Sequence, residues 1–260
     1  MGLSALGLVS SNPAAYAAHL TSSSDGIKIV GGETVSATDP VAKTTVALKI
    51  TLPEGTALCT GSIIAEDLIV TAAHCVNPHG TGMKVVFGLK SSATTTRAAT
   101  DARVPQEYRG DASEGIDQYD IGLIRFEGGL PAGYAAAKVL PESISLTDHQ
   151  TVTLAGYGIT DGITHAGAGT LRKTDVQIKQ ANYGRTEVLL DQTQGHGACH
   201  GDSGGPALVT SGGNSYVWGV TNRGAPDNAP DDCLHLSVYT KINAHQAWLD
   251  GAAHDMRPQG

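Results

Sequence analysis

Apolar residues fall along most of this chain in short alternating or unbroken runs, each closed off by turn residues. Thr45 to Thr51 is one such run. Gly61 to Thr71 holds two more, broken at Glu66-Asp67, and Lys84 to Leu89 follows. Thr151 to Ala155, Ser215 to Val220 and Leu236 to Lys241 repeat the pattern. Between them stand Pro53-Glu54-Gly55, Asn77-Pro78-His79-Gly80 and Gly212-Gly213-Asn214. Many short strands with Gly and Pro punctuation predict an all-β sandwich or barrel. One helix is expected, at the end: Asn243 caps it, Ala244 to Asp250 form it with Trp248 on the apolar face, and Gly251 stops it. The stretch from Ser91 to Gln118 is polar and reads as surface connection.

Composition narrows the class. The 260 residues are long enough for one large all-β unit or two small ones, and only 16% are charged. The net charge of −8, without a basic stripe, argues against a nucleic-acid partner. No run of about 20 apolar residues is present, so no membrane span is expected. Cys59, Cys75, Cys199 and Cys233 lack the close spacing of a metal knuckle. An even count at long spacing favours disulfides and an oxidising compartment, with three pairings open. At the start, Leu3 to Ser10 is apolar and Ala15-Tyr16-Ala17 has a small-x-small pattern, so residues 1–17 read as a signal peptide or its remnant.

Three short strings carry chemistry. Gly201-Asp202-Ser203-Gly204-Gly205-Pro206 sets a serine among glycines, where the backbone can turn sharply and the N–H groups of Gly201 and Ser203 can converge on a developing oxyanion. A serine hydroxyl is a weak nucleophile and needs a base. His74, in Thr71-Ala72-Ala73-His74-Cys75, ends an apolar strand and is the candidate. A buried carboxylate must orient that imidazole, and Asp120 opens the apolar run Asp120-Ile121-Gly122-Leu123-Ile124. Each string alone is ambiguous; a lone histidine at a strand end is usually a packed or surface residue, and an acid at a strand edge is usually just its terminus.

Taken together, these strings resemble the trypsin and chymotrypsin family of serine peptidases, whose triad is also the standard worked example of this chemistry. The resemblance runs from Ile29 to about Trp248 and includes Ile29-Val30-Gly31-Gly32, Cys59-Thr60-Gly61-Ser62 and Val238-Tyr239-Thr240-Lys241. It also includes Ala155-Gly156-Tyr157-Gly158, where the family's usual Gly-Trp-Gly appears as Gly-Tyr-Gly. The resemblance implies two six-stranded antiparallel β-barrels with a C-terminal helix and the active site between the barrels. It implies a peptidase domain over 29–260 and an activation propeptide over 18–28. Cleavage after Lys28 would free the Ile29 ammonium to pair with Asp202. It implies the pairs Cys59–Cys75 and Cys199–Cys233. Expected partners are protein or peptide substrates and a separate activating protease, acting on a secreted monomer. No cofactor and no metal are expected; Val76 to Thr100 carries no carboxylate for a calcium loop.

The same resemblance places the substrate pocket. Gly197 falls at its floor, followed by Ala198 and His200. Asn222, Arg223 and Gly224 fall on the substrate-lining strand and Ser237 on the other wall. A glycine floor lacks the buried charge that rewards a basic P1 side chain, so an apolar P1 is expected, large or medium before small. Three features pull elsewhere. Asp227, Asp231 and Asp232 could restore a basic preference, His200 and His235 could favour acidic P1 groups, and Arg223 stands where many relatives carry a tryptophan. The rival readings are a non-catalytic homologue acting as a binding protein, and an esterase using the same acyl transfer.

Overall fold

The computed structural model of the chain describes residues 29–76, 82–108, 110, 115–225 and 233–257. The expected leader and propeptide, the turn at Asn77 to Gly80 and the acids at 227, 231 and 232 lie outside the described residues. Strand β1 (Glu33–Thr34) is followed by a short helix α1 (Pro40–Thr44) that the strand pattern did not anticipate. Its signals are local: Asp39 accepts a hydrogen bond from the Val41 N–H at 2.9 Å, and Pro40 occupies the first turn, where its missing N–H costs nothing.

The first barrel is built from β2 (Thr45–Leu52), β3 (Gly55–Ala65), β4 (Leu68–Thr71), β5 (Met83–Val86), β6 (Thr96–Arg103) and β7 (Gly122–Phe126), closed in the order β2-β3-β4-β7-β6-β5. Pro53-Glu54 joins β2 to β3, with Leu52 opposite Gly55. Its core holds Val46, Leu48, Ile63, Ile69, Leu123 and Ile124, all buried. Strand β6 lies inside the segment expected to be a loop. Its inward face is carried by Ala99 and Ala102 rather than by branched or aromatic residues, so the sequence shows little apolar alternation. Pairing to β5 and β7 nonetheless closes the barrel through it.

The second barrel comprises β8 (Thr151–Gly156), β9 (Arg172–Gln180), β10 (Glu187–Asp191), β11 (Pro206–Ser211), β12 (Asn214–Gly224) and β13 (Leu236–Lys241). The order β9-β10-β13-β12-β11-β8 closes on itself because β8 also pairs with β9, and β1 pairs with the start of β9, at Arg172 and Lys173, beyond the reach of β10. The β11–β12 hairpin turns on Gly212 and Gly213, with φ of 55° and 77°. Two successive positive φ values match the right-handed twist of the flanking strands, and glycine adopts them without strain. Trp218 and Tyr239 anchor this core. The architecture is the expected pair of six-stranded barrels.

The terminal helix differs in its bounds from expectation. Asn243 opens a 3-10 turn (Asn243–His245) instead of capping the helix, and α2 runs Gln246–Asp255, straight through Gly251. Leu249, Ala252 and Met256 are buried against the first barrel. That stripe continues past Gly251, and its burial outweighs the roughly 1 kcal/mol helix penalty of one glycine.

Each barrel carries one disulfide, Cys59–Cys75 in the first and Cys199–Cys233 in the second, the pairing that the resemblance implied. Replacing both Cys59 and Cys75 by alanine removes a crosslink of sequence separation 16. The expected loss is about 3 kcal/mol, read as a lower urea midpoint with a higher m-value, because the uncrosslinked unfolded chain exposes more surface.

Candidate active site

His74 lies in a 3-10 turn (Ala73–Cys75) directly after β4, and Asp120 lies just before β7, the strand paired with β4. Neighbouring strands therefore deliver the two side chains to one end of the first barrel. Asp120 is only 2% exposed and holds His74 twice: Oδ1 accepts from the His74 backbone N–H at 3.0 Å, and Oδ2 meets Nδ1 at 2.8 Å. An acceptor-only carboxylate at Nδ1 fixes a hydrogen on that nitrogen and leaves Nε2 with its lone pair when the ring is neutral.

Ser203 comes from the loop before β11 in the second barrel. Its carbonyl oxygen accepts from the Thr60 N–H at 2.9 Å and lies 3.5 Å from Sγ of Cys75, the residue after His74. Thr60 does more. Its hydroxyl donates to the Gly201 carbonyl at 3.0 Å and accepts from the Tyr157 N–H at 3.1 Å, while its own carbonyl accepts from Thr71 Oγ1 at 2.8 Å. One residue of the first barrel thus fixes both ends of the Gly201-Asp202-Ser203 loop of the second.

Gly201 has φ of 93°, a conformation open to glycine. The preceding carbonyl, His200 C=O, accepts from the Ile159 N–H at 2.8 Å. In a trans peptide the N–H points opposite to the C=O, so this bond turns the Gly201 N–H away from Ile159. Among the described residues, the Gly201 and Ser203 amides donate no hydrogen bond within the chain. Asp202 points the other way, into the protein. It is buried, and its carboxylate accepts from the Gly158 N–H at 2.7 Å and the Cys199 N–H at 2.9 Å. A Cβ on Gly156 or Gly158 would collide with that carboxylate, which explains glycine at both positions of Gly-Tyr-Gly. Tyr157 between them is buried, and its hydroxyl donates to the Gly88 carbonyl at 2.7 Å. Burial pushes Asp202 up to about 7, against the pull of the two N–H groups and the Arg172 charge.

The sequence profile of the family described as Trypsin matches residues 29–249. The chain belongs to the trypsin family. This trypsin-family chain is 28% identical over 204 residues to brachyurin of Leptuca pugilator, covering 74% of this chain and 85% of the relative. It is 28% identical to a chymotrypsin of Phaedon cochleariae, covering 74% and 70%, and 29% identical to trypsin iota of Drosophila melanogaster, covering 75% and 79%. Like the family, it is a serine endopeptidase. No helix of the described residues is long and apolar enough to cross a membrane. The two groupings of metal-type ligands among them, Cys59-His74-Cys75 and Cys199-His200-Cys233, each contain a disulfide, and a bridged sulfur is no thiolate ligand.

The residues assigned to the pocket also converge. Gly224 pairs with Ser237 across β12 and β13, and the Cys199–Cys233 bridge joins the segment after Ala198 to the segment before His235. His200 stacks on His165 with ring centroids 5.6 Å apart. Arg223 is tied to an acid of β10. It grips the fully buried Glu187 with two contacts, at 2.9 and 3.0 Å, and donates to the Gly115 carbonyl at 3.0 Å. The Asn222 carboxamide lies between this pair and Asp120. With its nitrogen toward the carboxylate it donates to Asp120 Oδ2 at 3.0 Å, and its oxygen accepts from Arg223 at 2.9 Å and Thr240 at 3.2 Å. Glu187 also accepts from the Gln118 N–H at 3.0 Å, two residues ahead of Asp120. Sequence reasoning missed Thr60, Ile159, Glu187 and Gln192. The only sequence signal was an acid opening the apolar run Val188-Leu189-Leu190, which reads as a strand end.

Arg223→Ala strands the Glu187 charge in the interior, and removing one partner of a buried pair costs roughly 3 kcal/mol. Thermal unfolding is expected to show that loss, and Glu187→Gln in the same chain is expected to recover part of it.

Proposed function

We propose that His74, Asp120 and Ser203 form the catalytic triad, that the Gly201 and Ser203 amides form the oxyanion hole, and that cleavage after Lys28 activates the enzyme. The observation that carries the reading is the doubled Asp120–His74 contact, with the Ser203 backbone tied through Thr60 to the same end of the first barrel. Ser203 Oγ attacks the scissile carbonyl carbon while His74 Nε2 takes its proton. The carbonyl oxygen gains negative charge, and the Gly201 and Ser203 amides, which donate to nothing else among the described residues, stabilise it. His74 then protonates the leaving amine, and water repeats the two steps on the acyl-enzyme. Asp120 holds the ring and balances its transient positive charge. Asn222, backed by Arg223, holds the Asp120 oxygen that faces the ring.

Two features support activation at Lys28. Among the described residues, no side-chain cation contacts the buried Asp202 carboxylate, and Arg172 reaches it only through space. Ile29, already buried, has φ of 39°, a region costly for a β-branched residue. That cost arises from the peptide linking it to Lys28, and a new N-terminus escapes it. Secretion is supported by the two disulfides. Apolar P1 preference is supported by the absence of charge at Gly197 and by the engagement of Arg223 with Glu187. Proteins or peptides are the substrates, and a basic-specific protease performs the activating cut.

In the chain cleaved after Lys28, Ser203→Ala is expected to lower kcat roughly a million-fold while keeping the melting transition. A serine-directed phosphonate is expected to label Ser203 stoichiometrically; an unlabelled but cleaved and folded protein would identify a non-catalytic homologue.

Stability against pH tests the switch. In the uncleaved chain, the folded state keeps the Asp202 proton up to about 7, whereas the unfolded chain releases it near the ordinary 3.8. The folded state therefore binds more protons across that window, and stability falls as pH rises through it. An ammonium at Ile29 brings the carboxyl back down and removes the loss. Melting curves from pH 4 to 8 are expected to show the cleaved form gaining on the uncleaved form, and Asp202→Asn in the uncleaved chain is expected to flatten its slope.

A further inference from the structure

Gln192 follows β10 and is 1% exposed, a long polar side chain sealed beneath the pocket segments. Its backbone N–H donates to the His235 carbonyl at 2.7 Å. Its side-chain nitrogen donates to the Ala198 carbonyl at 3.2 Å and the Cys233 carbonyl at 2.8 Å. Its side-chain oxygen accepts from the Ala198 N–H at 2.9 Å and from Ser237 Oγ at 2.8 Å. A carboxamide has two donor hydrogens and two acceptor lone pairs, and all four are engaged. The orientation is fixed, because a rotated amide would set oxygen against two carbonyls and nitrogen against a backbone N–H.

The same amide fills the space in front of Gly197. A Cβ built there would stand 2.5 Å from Gln192 Cγ and Nε2, and closer still to Cδ. Real Cβ atoms do not approach so closely, so no side chain at position 197 can project in that direction while Gln192 remains. Ser237, the other polar group of the wall, has its hydroxyl hydrogen committed to Gln192.

We infer that Gln192, rather than residue 197, forms the floor of the P1 pocket, and that its saturated carboxamide makes this floor select apolar P1 side chains. The inference rests on the peptidase reading above and deepens it. An ammonium or carboxylate arriving at this floor meets a neutral carboxamide that can offer it a lone pair or a hydrogen only by giving up one of the four bonds. An apolar end breaks none.

The test uses the chain cleaved after Lys28 and peptide substrates that differ only at P1, as Phe, Leu or Lys. For the wild type, kcat/KM is expected to favour Phe or Leu over Lys by about 100-fold. Gly197→Asp alone is expected to give no gain for Lys, since the carboxylate has no room. Gln192→Ala combined with Gly197→Asp is expected to swing the Lys-to-Phe ratio toward Lys by at least ~10-fold, mostly through KM. Gln192→Glu, which keeps the length and exchanges donors for acceptors, is expected to swing it the same way. The ratio is internal to each variant, so a general loss of active protein does not move it. A wild-type preference for Lys overturns the inference, as does a Gly197→Asp single variant that gains Lys activity as fully as the double variant. Labelling of the wild type by diisopropyl fluorophosphate separates the two readings. Without it the peptidase reading falls and takes the floor with it, whereas full labelling with a preference for Lys overturns the floor alone.

Discussion

Two closed barrels share a face, and every polar group caught in that face must find a partner. Thr60 is where this requirement is most concentrated. Its amide, carbonyl and hydroxyl are all engaged, and three of its four partners, Ser203, Gly201 and Tyr157, belong to the second barrel. An unsatisfied buried group costs about 1–3 kcal/mol, so a slide of one barrel over the other that is large enough to break one of these contacts breaks several at once. The relative placement of His74 and Ser203 follows from that stiffness. Neither barrel alone contains the site, and the hydrogen bonds that join them also align it.

The strings around His74, Asp120 and Ser203 were legible because each must satisfy several constraints within a few residues. The barrel strands were legible where Val, Ile and Leu carry the inward face, as in Thr45 to Thr51. Strand β6 was not, because alanines line its inner face and the barrel closes through it by backbone pairing. Helix α2 was placed but its ends were not, since Gly251 is a strong local stop signal that the buried stripe of Leu249, Ala252 and Met256 overrides. Gln192 and Glu187 were invisible for a different reason. Their meaning lies in partners far along the chain, such as Ser237 and Arg223, and no local pattern announces such a pairing. Gly197 was assigned to the pocket by position, but the sequence does not say that another residue's amide fills the space its side chain would need.

Buried charge is used sparingly and in two separate ways. Glu187 has its cation, and its remaining contact with the Gln118 N–H ties the segment ahead of Asp120 to the second barrel. That segment needs tying: Asp117 and Tyr119 have φ of 62° and 57°, left-handed conformations that non-glycine residues adopt at a cost. Asp117 in turn accepts from Thr186 N–H and Oγ1, both at 2.7 Å, beside Glu187. Asp202 is the opposite case. Among the described residues its carboxylate is hydrogen-bonded by two backbone amides and no side chain, and burial rather than a countercharge sets its protonation.

The bridge between Val30 and Gly197 joins two regions usually considered apart. The Val30 carbonyl accepts from the Gly197 N–H at 2.9 Å, so the segment that begins at Ile29 is fastened to the pocket by a single peptide unit. Under linkage, two events that share a structural element change each other's equilibrium by the same factor. If the two regions are coupled through this bridge, a ligand that steadies the Ala198 segment steadies the Ile29 segment, and whatever loosens that segment weakens the ligand equally. On the proposed activation reading, seating of a freed Ile29 and binding at the Ala198 segment share one coupling free energy, the same whichever end it is measured from.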